Sequence, residues 1–456
     1  MKIWLTIFTP YQTVQMQIAA LTSYLKHSNI EVAYSEYYIF SGESFEKHRD
    51  QVREDILREK PDIVGFSTYD MNYHHTLDCA SFIKELDSNI KIIVGGHTAS
   101  VVPFEFLDHE CIDFVGKGEG EETLKELAHA LENDLPLNDI KSLYWKNENG
   151  EVITNEARPL METLDDLPFI DREVVEYQHS KIDYLPFLMG RGCPYKCDYC
   201  GNEAIKDLAP NSEAWSRYRS PEHVIEEILL CREKYDFKYV FFYDDVFCLK
   251  LDWLVKFKAL YKKHFPNTPY ICLLRPEMAK DERRMKLLGE SGCMEVHMGV
   301  ESGSYEYRTN MLGRHMSNEV ILRAIDNLKK HNIRINTFLM VGMPDESCLD
   351  MLKSIAFIWK IRPSSVQTGI FYPLKGTPSY DYCVKNNLIN WKKRKELVVY
   401  SYDTSLNVNF LKRYFIIFCK WLLSGIPVLT HLKLQLIPRF FKIQYRLWFQ
   451  RRVDYT

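Results

Sequence analysis

Apolar and polar residues alternate along this chain in two long series. In the first, KIWLTIF (2–8), IEVAYSEYY (30–38), PDIVGFSTY (61–69), KIIVGGH (91–97) and CIDFVGKG (111–118) are short apolar runs bounded by turn residues. Helical spacing fills the gaps, as with Ile18, Leu21 and Leu25 at i, i+3 and i+7. This βαβαβαβαβα pattern predicts an open parallel sheet covered on both faces. Ligands on such sheets sit at the carboxyl ends of the strands. Those ends read FTPYQT, STYDMN, GGHTAS and GKGEGE.

The pattern then changes. SLYWKNENGEVITNEARPL predicts a hairpin turning at Asn149-Gly150, and METLDDLPFIDREVVEY is an acidic connector. A second alternating series follows, with strands expected at 184–190, 238–245, 270–275, 294–301, 334–342 and 365–373. Six β/α units in a run shorter than the ~250 residues of an eight-unit barrel predict a partial, TIM-type (β/α)6 barrel. The expected domains are therefore 1–140, a hairpin and linker at 141–182, the barrel at 183–390 and a C-terminal extension at 391–456. The extension carries nine Lys and Arg between Lys412 and Arg452 and no acid. It reads as aromatic and helical, broken at Pro427 and Pro438. Two uses fit that composition: helices packed on the barrel, or an interfacial helix at a membrane surface.

Composition narrows the classes. A net charge of −4 supplies no field to draw the protein to nucleic acid. No apolar run reaches the ~18 residues of a membrane span. The N-terminal residues read as a strand and a turn, not as a signal peptide. Nine of the twelve cysteines are scattered, several in apolar runs, with no disulfide framework, so the expected compartment is a reducing cytoplasm.

The other three cysteines fall in RGCPYKCDYCGN (191–202), spaced C-x3-C-x2-C. A structural zinc site is closed by four ligands, and ordinary iron–sulfur clusters also take four cysteines. Three thiolates leave one position open, where a substrate or cofactor can bind. The triplet follows the first barrel strand, on the face where barrel active sites lie.

Cys193, Cys197 and Cys200, with Tyr199 before the last, resemble the signature of the radical S-adenosylmethionine (SAM) superfamily. The resemblance implies a 4Fe–4S cluster on the three cysteines, with SAM on the fourth iron. FFYDDVF places Asp244 and Asp245 where the family holds the SAM ammonium. HMGVESGS makes Glu301 a SAM contact, and TFLMVGMPDES makes Gly342 one. Arg275, ending the third strand, is a candidate for the SAM carboxylate. This resemblance covers about 184–380.

The first 140 residues resemble the Rossmann-like (flavodoxin-like) cobalamin-binding domain that precedes the barrel in many such proteins. FTPYQT, VGGHTAS and VGKGEGEETL carry the likeness. It implies cobalamin contacts from Thr9, Ser67, Thr68, Gly95, Gly96, His97, Thr98, Gly118, Glu119, Gly120 and Glu121. A phosphate loop is excluded: Glu119, Glu121 and Glu122 crowd that helix start and would repel phosphate. The cobalt-ligating D-x-H-x-x-G motif is also missing, since Asp70-Met71-Asn72 has asparagine at the histidine position. A methylthiotransferase reading falls because residues 1–150 hold only Cys79 and Cys111.

The resemblance implies a cobalamin-dependent enzyme that methylates an unactivated carbon through a 5′-deoxyadenosyl radical and methylcobalamin. Its substrate would be a small molecule, lipid or peptide, and flavodoxin or ferredoxin would supply the electron. The alternatives are a non-methylating ring contraction or oxidative cyclisation, and a catalytically dead cobalamin- or SAM-binding module. No residue is assigned as acid or base; Tyr243, Tyr372 and His297 are candidates by position alone.

Overall fold

The computed structural model describes residues 1–10, 15–174, 183–247, 250–397 and 402–431. Tyr11–Thr13 of the first loop, the end of the acidic connector and the tail beyond His431, with Pro438, lie outside the described residues. By its contacts the chain divides into two units, Met1–Asp245 with Pro373–Val399, and Val246–Tyr372 with Tyr400–Thr456.

The first unit begins with a seven-stranded sheet. β1 (Lys2–Thr9), β2 (Glu31–Tyr38), β3 (Ile63–Ser67), β4 (Lys91–Gly95) and β5 (Phe114–Gly116) run parallel in the order β2-β1-β3-β4-β5. The hairpin predicted around Asn149-Gly150 adds β6 (Leu143–Lys146) and β7 (Val152–Thr154) antiparallel at the β5 edge. The connector reading of this stretch missed that the hairpin completes the sheet. Both faces are apolar, which is why the strands read as unbroken runs. Trp4, Phe8, Val64 and Val94 pack with the helices Arg49–Glu59 and Tyr73–Leu86. Ile3, Leu5, Ile7 and Ile93 pack with Met16–His27 and Glu121–Glu132 on the other face. Strand order reverses between β1 and β3, and the crevice of such a sheet opens there.

The same unit holds a parallel pair, β8 (Tyr184–Phe187) and β11 (Tyr239–Phe242), joined through the helix Pro221–Lys234, whose start Ser220 caps. Between them a two-residue ladder pairs β9 (Gly190–Arg191) antiparallel with β10 (Arg217–Tyr218). The returning segment 373–399 is fastened by one carboxylate. Asp70 Oδ2 accepts the Lys375 backbone N–H at 2.5 Å and the Arg394 guanidinium at 3.3 Å. Lys375 also pairs with Glu105, and the Ser379 N–H donates to the Asp198 carbonyl at 2.9 Å.

The second unit is a parallel sheet in chain order: β12 (Tyr270–Leu274), β13 (Cys293–Glu301), β14 (Arg334–Val341) and β15 (Ser365–Ile370). The helices Glu282–Ser291, Asn318–Lys330 and Cys348–Ile361 connect the strands. Asp281, Ser317 and Ser347 cap them in turn. The helix Phe410–His431 packs on β15 and on Cys348–Ile361, burying Ile416, Cys419, Leu423 and Ile426 as one stripe. The expected break at Pro427 does not occur; the proline sits inside this helix. Its missing N–H forfeits only the bond to the Leu423 carbonyl, one turn before the helix ends, and Leu423 and Ile426 anchor that turn in the core.

After β14 the chain turns on a buried carboxyl. Glu346 Oε2 accepts the N–H groups of Gly342 and Met343, at 2.7 and 3.3 Å, while Oε1 has no protein partner. Burial pushes this carboxyl up to about 8, against the two N–H bonds.

Two predictions follow from this packing. Asp70→Ala removes the carboxylate that meets both the Lys375 N–H and the buried Arg394 guanidinium, and breaking a buried pair of this kind costs on the order of 3–5 kcal/mol. Urea unfolding should report a loss of that size, and limited proteolysis should cut first within 373–399. Glu346 is raised when folded, so its contribution is complete below the unfolded pKa near 4.5 and is lost as pH climbs to about 8. Wild-type Tm should fall across that window, and Glu346→Gln should flatten the profile.

Candidate active site

One cavity of about 520 Å³ lies within the first unit. Its floor is the crevice of the sheet, with Leu5, Ile18, Leu21, Ile93 and Leu124 as walls and Gly65, Gly95 and Gly116 at the strand ends. Its mouth is built by Gly190, Arg191, Gly192, Asn202, Trp215 and Asp245, which flank the cysteine loop. The floor is apolar and small-residue-lined; the mouth is polar.

Three ion pairs fix the mouth. Glu119 receives Arg217 through both carboxylate oxygens and Arg191 at 3.3 Å. Glu121, the first residue of its helix, receives Arg191 as well. Burial alone would raise the Glu119 carboxyl, but Arg191 and Arg217 overcome it and hold it below the usual range. The sequence reading gave both glutamates to cobalamin. They line the cavity, yet their oxygens are spent on arginines beside the cysteines. The signal for this was the pair Arg191 and Arg217, which lie 70 and 98 residues from their partners and carry no local motif.

Gly192 turns the chain from β9 into the triplet. It has φ +78°, and a Cβ there would lie 2.3 Å from the Trp215 carbonyl oxygen. Cys197 is buried, and Cys193 and Cys200 are half-buried. The Cys200 N–H closes a turn onto the Cys197 carbonyl at 3.0 Å, and the helix Gly201–Lys206 starts immediately after. Burial pushes the Cys200 thiol up to about 12, with negative charge from Cys197, Asp245 and Cys193 adding to it. The Cys200 thiolate is unfavourable in the protein alone, and a bound cationic iron would reverse that, so the donor set fits a cluster. Among the described residues no three His, Cys, Asp or Glu side chains are gathered to hold a single metal ion.

The two aspartates divide their work. Asp244 is buried and its Oδ1 accepts the N–H groups of Met189 and Gly190, at 3.0 and 2.5 Å. It latches the bend that leads into the cysteine loop. Burial raises its carboxyl to about 8. Asp245 is open to the cavity and hydrogen-bonds Asn202, two residues after Cys200.

Other sequence candidates separate in the same way. Ser67, Gly95, Gly96, Gly118 and Gly120 line the cavity. Thr9, Thr68, His97 and Thr98 are not among its lining residues. Thr9 accepts a bond from Gln15, and Thr68 Oγ1 donates to the Gly95 carbonyl at 2.7 Å and accepts the Ala99 N–H. Thr98 is fully buried, and its Oγ1 has no protein partner. His97 Nε2 lies 3.2 Å from the Gly201 carbonyl, which can only accept, so this nitrogen carries the hydrogen. Burial lowers its pKa, against Asp70 and that carbonyl.

Glu301, Arg275, Gly342 and His297 lie in the second unit. Glu301 has φ +66°, a left-handed conformation uncommon outside glycine, at a bulge in β13. Arg314 reaches its Oε1 at 3.4 Å and the Gly299 carbonyl at 2.6 Å. Arg275 is buried rather than solvent-facing, and Glu277 holds it through two bonds at 3.3 and 2.6 Å. Gly342 has φ +72°, and Ile416 covers its Cα. Arg314, Glu277 and Glu346 were not found from the sequence, where they read as ordinary helix and loop charges. Tyr243 lines the cavity of the first unit and bonds Tyr184 at 2.6 Å. His297 Nε2 donates to Glu295 Oε1 at 2.9 Å within the second.

Known proteins agree with this geometry. Residues 187–358 match the radical SAM superfamily model, and residues 6–128 match the B12 binding domain model. An uncharacterized methyltransferase of Pyrococcus horikoshii is 29% identical over 345 residues, covering 74% of this chain and 73% of that protein. The anaerobic magnesium-protoporphyrin IX monomethyl ester cyclase of Rubrivivax gelatinosus is 24% identical over 370 residues, covering 78% of this chain and 64% of the cyclase. The radical SAM methyltransferase TsrM of Kitasatospora setae, solved with cobalamin and a [4Fe-4S] cluster, superposes with a TM-score of 0.66 at 16% identity, covering 85% of this chain and 75% of TsrM. That likeness shows the fold, an N-terminal Rossmann-like sheet followed by a partial barrel and a helical extension. With both domains matched in order, this chain belongs to the cobalamin-binding branch of the radical SAM enzymes.

Proposed function

We propose that this enzyme methylates an unactivated carbon of a small-molecule, lipid or peptide substrate. The observation that supports the reading is a cavity lined both by the crevice of the cobalamin-binding sheet and by residues that flank the cysteine loop. When bound, the cluster supplies an electron, SAM supplies the radical precursor and the methyl group, and cobalamin carries that methyl.

The residues divide these tasks. Cys193, Cys197 and Cys200 hold three irons and leave the fourth without a protein ligand. Asp245, open to the cavity beside Cys200, attracts the amino group of SAM. Asp244 keeps the strand end beneath it in place. Glu301 and Arg275 belong to the second unit, where each is held by its own ion-pair partner. The glycine edges at 95, 96, 118 and 120, with Ser67, seat cobalamin through backbone and a hydroxyl. The apolar floor excludes water, and no histidine is among the described residues that line it. A cobalamin bound there would meet apolar side chains and glycine backbone.

The cyclase relative favours a second reading, a non-methylating cyclisation on the same cofactors. The intact triplet and the open Asp245 argue against a dead module. A one-electron donor such as flavodoxin or ferredoxin completes the cycle, and we place the reaction in the cytoplasm. None of the described helices is long and apolar enough to cross a membrane. Phe410, Leu411, Tyr414 and Phe418 are exposed on the C-terminal helix, which supports peripheral contact with a membrane surface.

Anaerobic reconstitution with iron, sulfide and hydroxocobalamin tests the site. Absorption after desalting should show cluster and cobalamin bands together, and Cys197→Ala should lose the cluster while retaining cobalamin. Cobalamin bands absent from the wild type overturn the methyltransferase reading. Asp245→Asn should weaken SAM binding by about 10-fold or more, the scale of one charge-assisted bond of ~1.5–3 kcal/mol, as read by equilibrium dialysis. Asp244→Asn should mainly lower Tm.

A further inference from the structure

The loop Gly95–Ser100 has two faces. Gly95 and Gly96 line the cavity, on the side assigned above to cobalamin. The next side chain, His97, points elsewhere and reaches the cysteine loop. Its Nε2–H donates to the carbonyl of Gly201, the residue directly after Cys200, at 3.2 Å. The contact is tight: a Cβ on Gly201 would lie 2.6 Å from His97 Nε2 and 2.8 Å from its Cδ2.

The loop between these faces has little slack. Gly96 has φ +90°, and a Cβ there would lie 2.8 Å from the Thr68 nitrogen. The Thr68 N–H donates to the Gly95 carbonyl at 2.8 Å, and the Thr98 N–H returns to the Thr68 carbonyl at 3.2 Å. Ser100 Oγ donates to the Gly96 carbonyl at 2.7 Å and accepts the Gly118 N–H at 2.9 Å. A push on Gly95–Gly96 therefore cannot be absorbed by the loop alone. It passes to the imidazole and on to the peptide that follows Cys200.

We propose that His97 is a positioning residue that couples the two cofactor sites: filling the cavity behind Gly95–Gly96 changes the setting of Cys200, and with it the potential of the cluster. The proposal rests on the cobalamin reading of the cavity and goes beyond it. Backbone placement around a cluster cysteine is one of the levers that set cluster potential, through hydrogen bonding to sulfur and exposure. The coupling is reciprocal, so a cluster should equally alter cobalamin affinity.

The test is redox titration of the reconstituted cluster by EPR, with and without hydroxocobalamin. Wild type should show a cobalamin-induced shift in midpoint potential. His97→Leu should bind both cofactors and lose the shift, and His97→Gln, which keeps an N–H donor, should restore it. Gly201→Ala, which wedges the same contact from the other side, should disturb the cluster signal with His97 intact. Hydrogen exchange of wild-type residues 196–206 should slow on cobalamin addition, a readout that needs no variant. If cobalamin is retained but neither potential nor exchange responds, the coupling is wrong and the site assignment stands. If cobalamin is not retained, the site assignment falls and the coupling with it.

Discussion

The site depends on a knot of charge between two loops far apart in sequence. Arg191 and Arg217 flank the cysteine loop on paired strands, and Glu119 and Glu121 begin a helix of the N-terminal sheet. The four groups are largely withdrawn from water, where an unpaired charge would be costly. Each glutamate is therefore committed to an arginine and each arginine to a glutamate. That commitment brings the end of the sheet's crevice against the peptide that carries Cys193. Apolar packing of Met16 and Ala19 with Ile170, Leu188 and Tyr243 joins the same parts.

Several features of that knot explain why the surrounding sequence looks as it does. Gly190 and Gly192 are small because Tyr218 and Trp215 lie against them. Asp244 is acidic because two N–H groups at the end of β8 need an acceptor. The G-K-G-E-G-E loop mimics a phosphate cradle in spacing but spends its acids on arginines. The carboxylates there dock one chain segment on another, while Gly118 and Gly120 beside them line the cavity.

Much of the fold was legible because both series follow periodicities that burial imposes. Apolar runs doubly covered by helices gave the parallel strands, and the helical spacing gave the connectors. Strand order was not legible, since the β2-β1-β3 reversal depends on which edges meet. The addition of the hairpin to the β5 edge depends on pairing of the same kind. The cysteine triplet was legible because its ligands are adjacent in sequence. Arg314 was not, because it reaches Glu301 through the fold, across a bulge and a left-handed residue that no spacing announces. The choice between Asp244 and Asp245 also needed burial: neighbours in sequence, they point to different tasks on successive faces of the chain. Pro427 was misread for the opposite reason, a local rule outweighed by the packed stripe around it.

The central claim is that one cavity holds both redox centres. EPR of the reconstituted protein, with the cluster reduced and cobalamin in its cob(II) state, tests it most directly. Two paramagnets sharing this cavity should broaden or split each other's signals, and Cys197→Ala should return the cob(II)alamin spectrum to its isolated form. Superposed, unperturbed spectra from a protein shown to contain both centres would contradict the account.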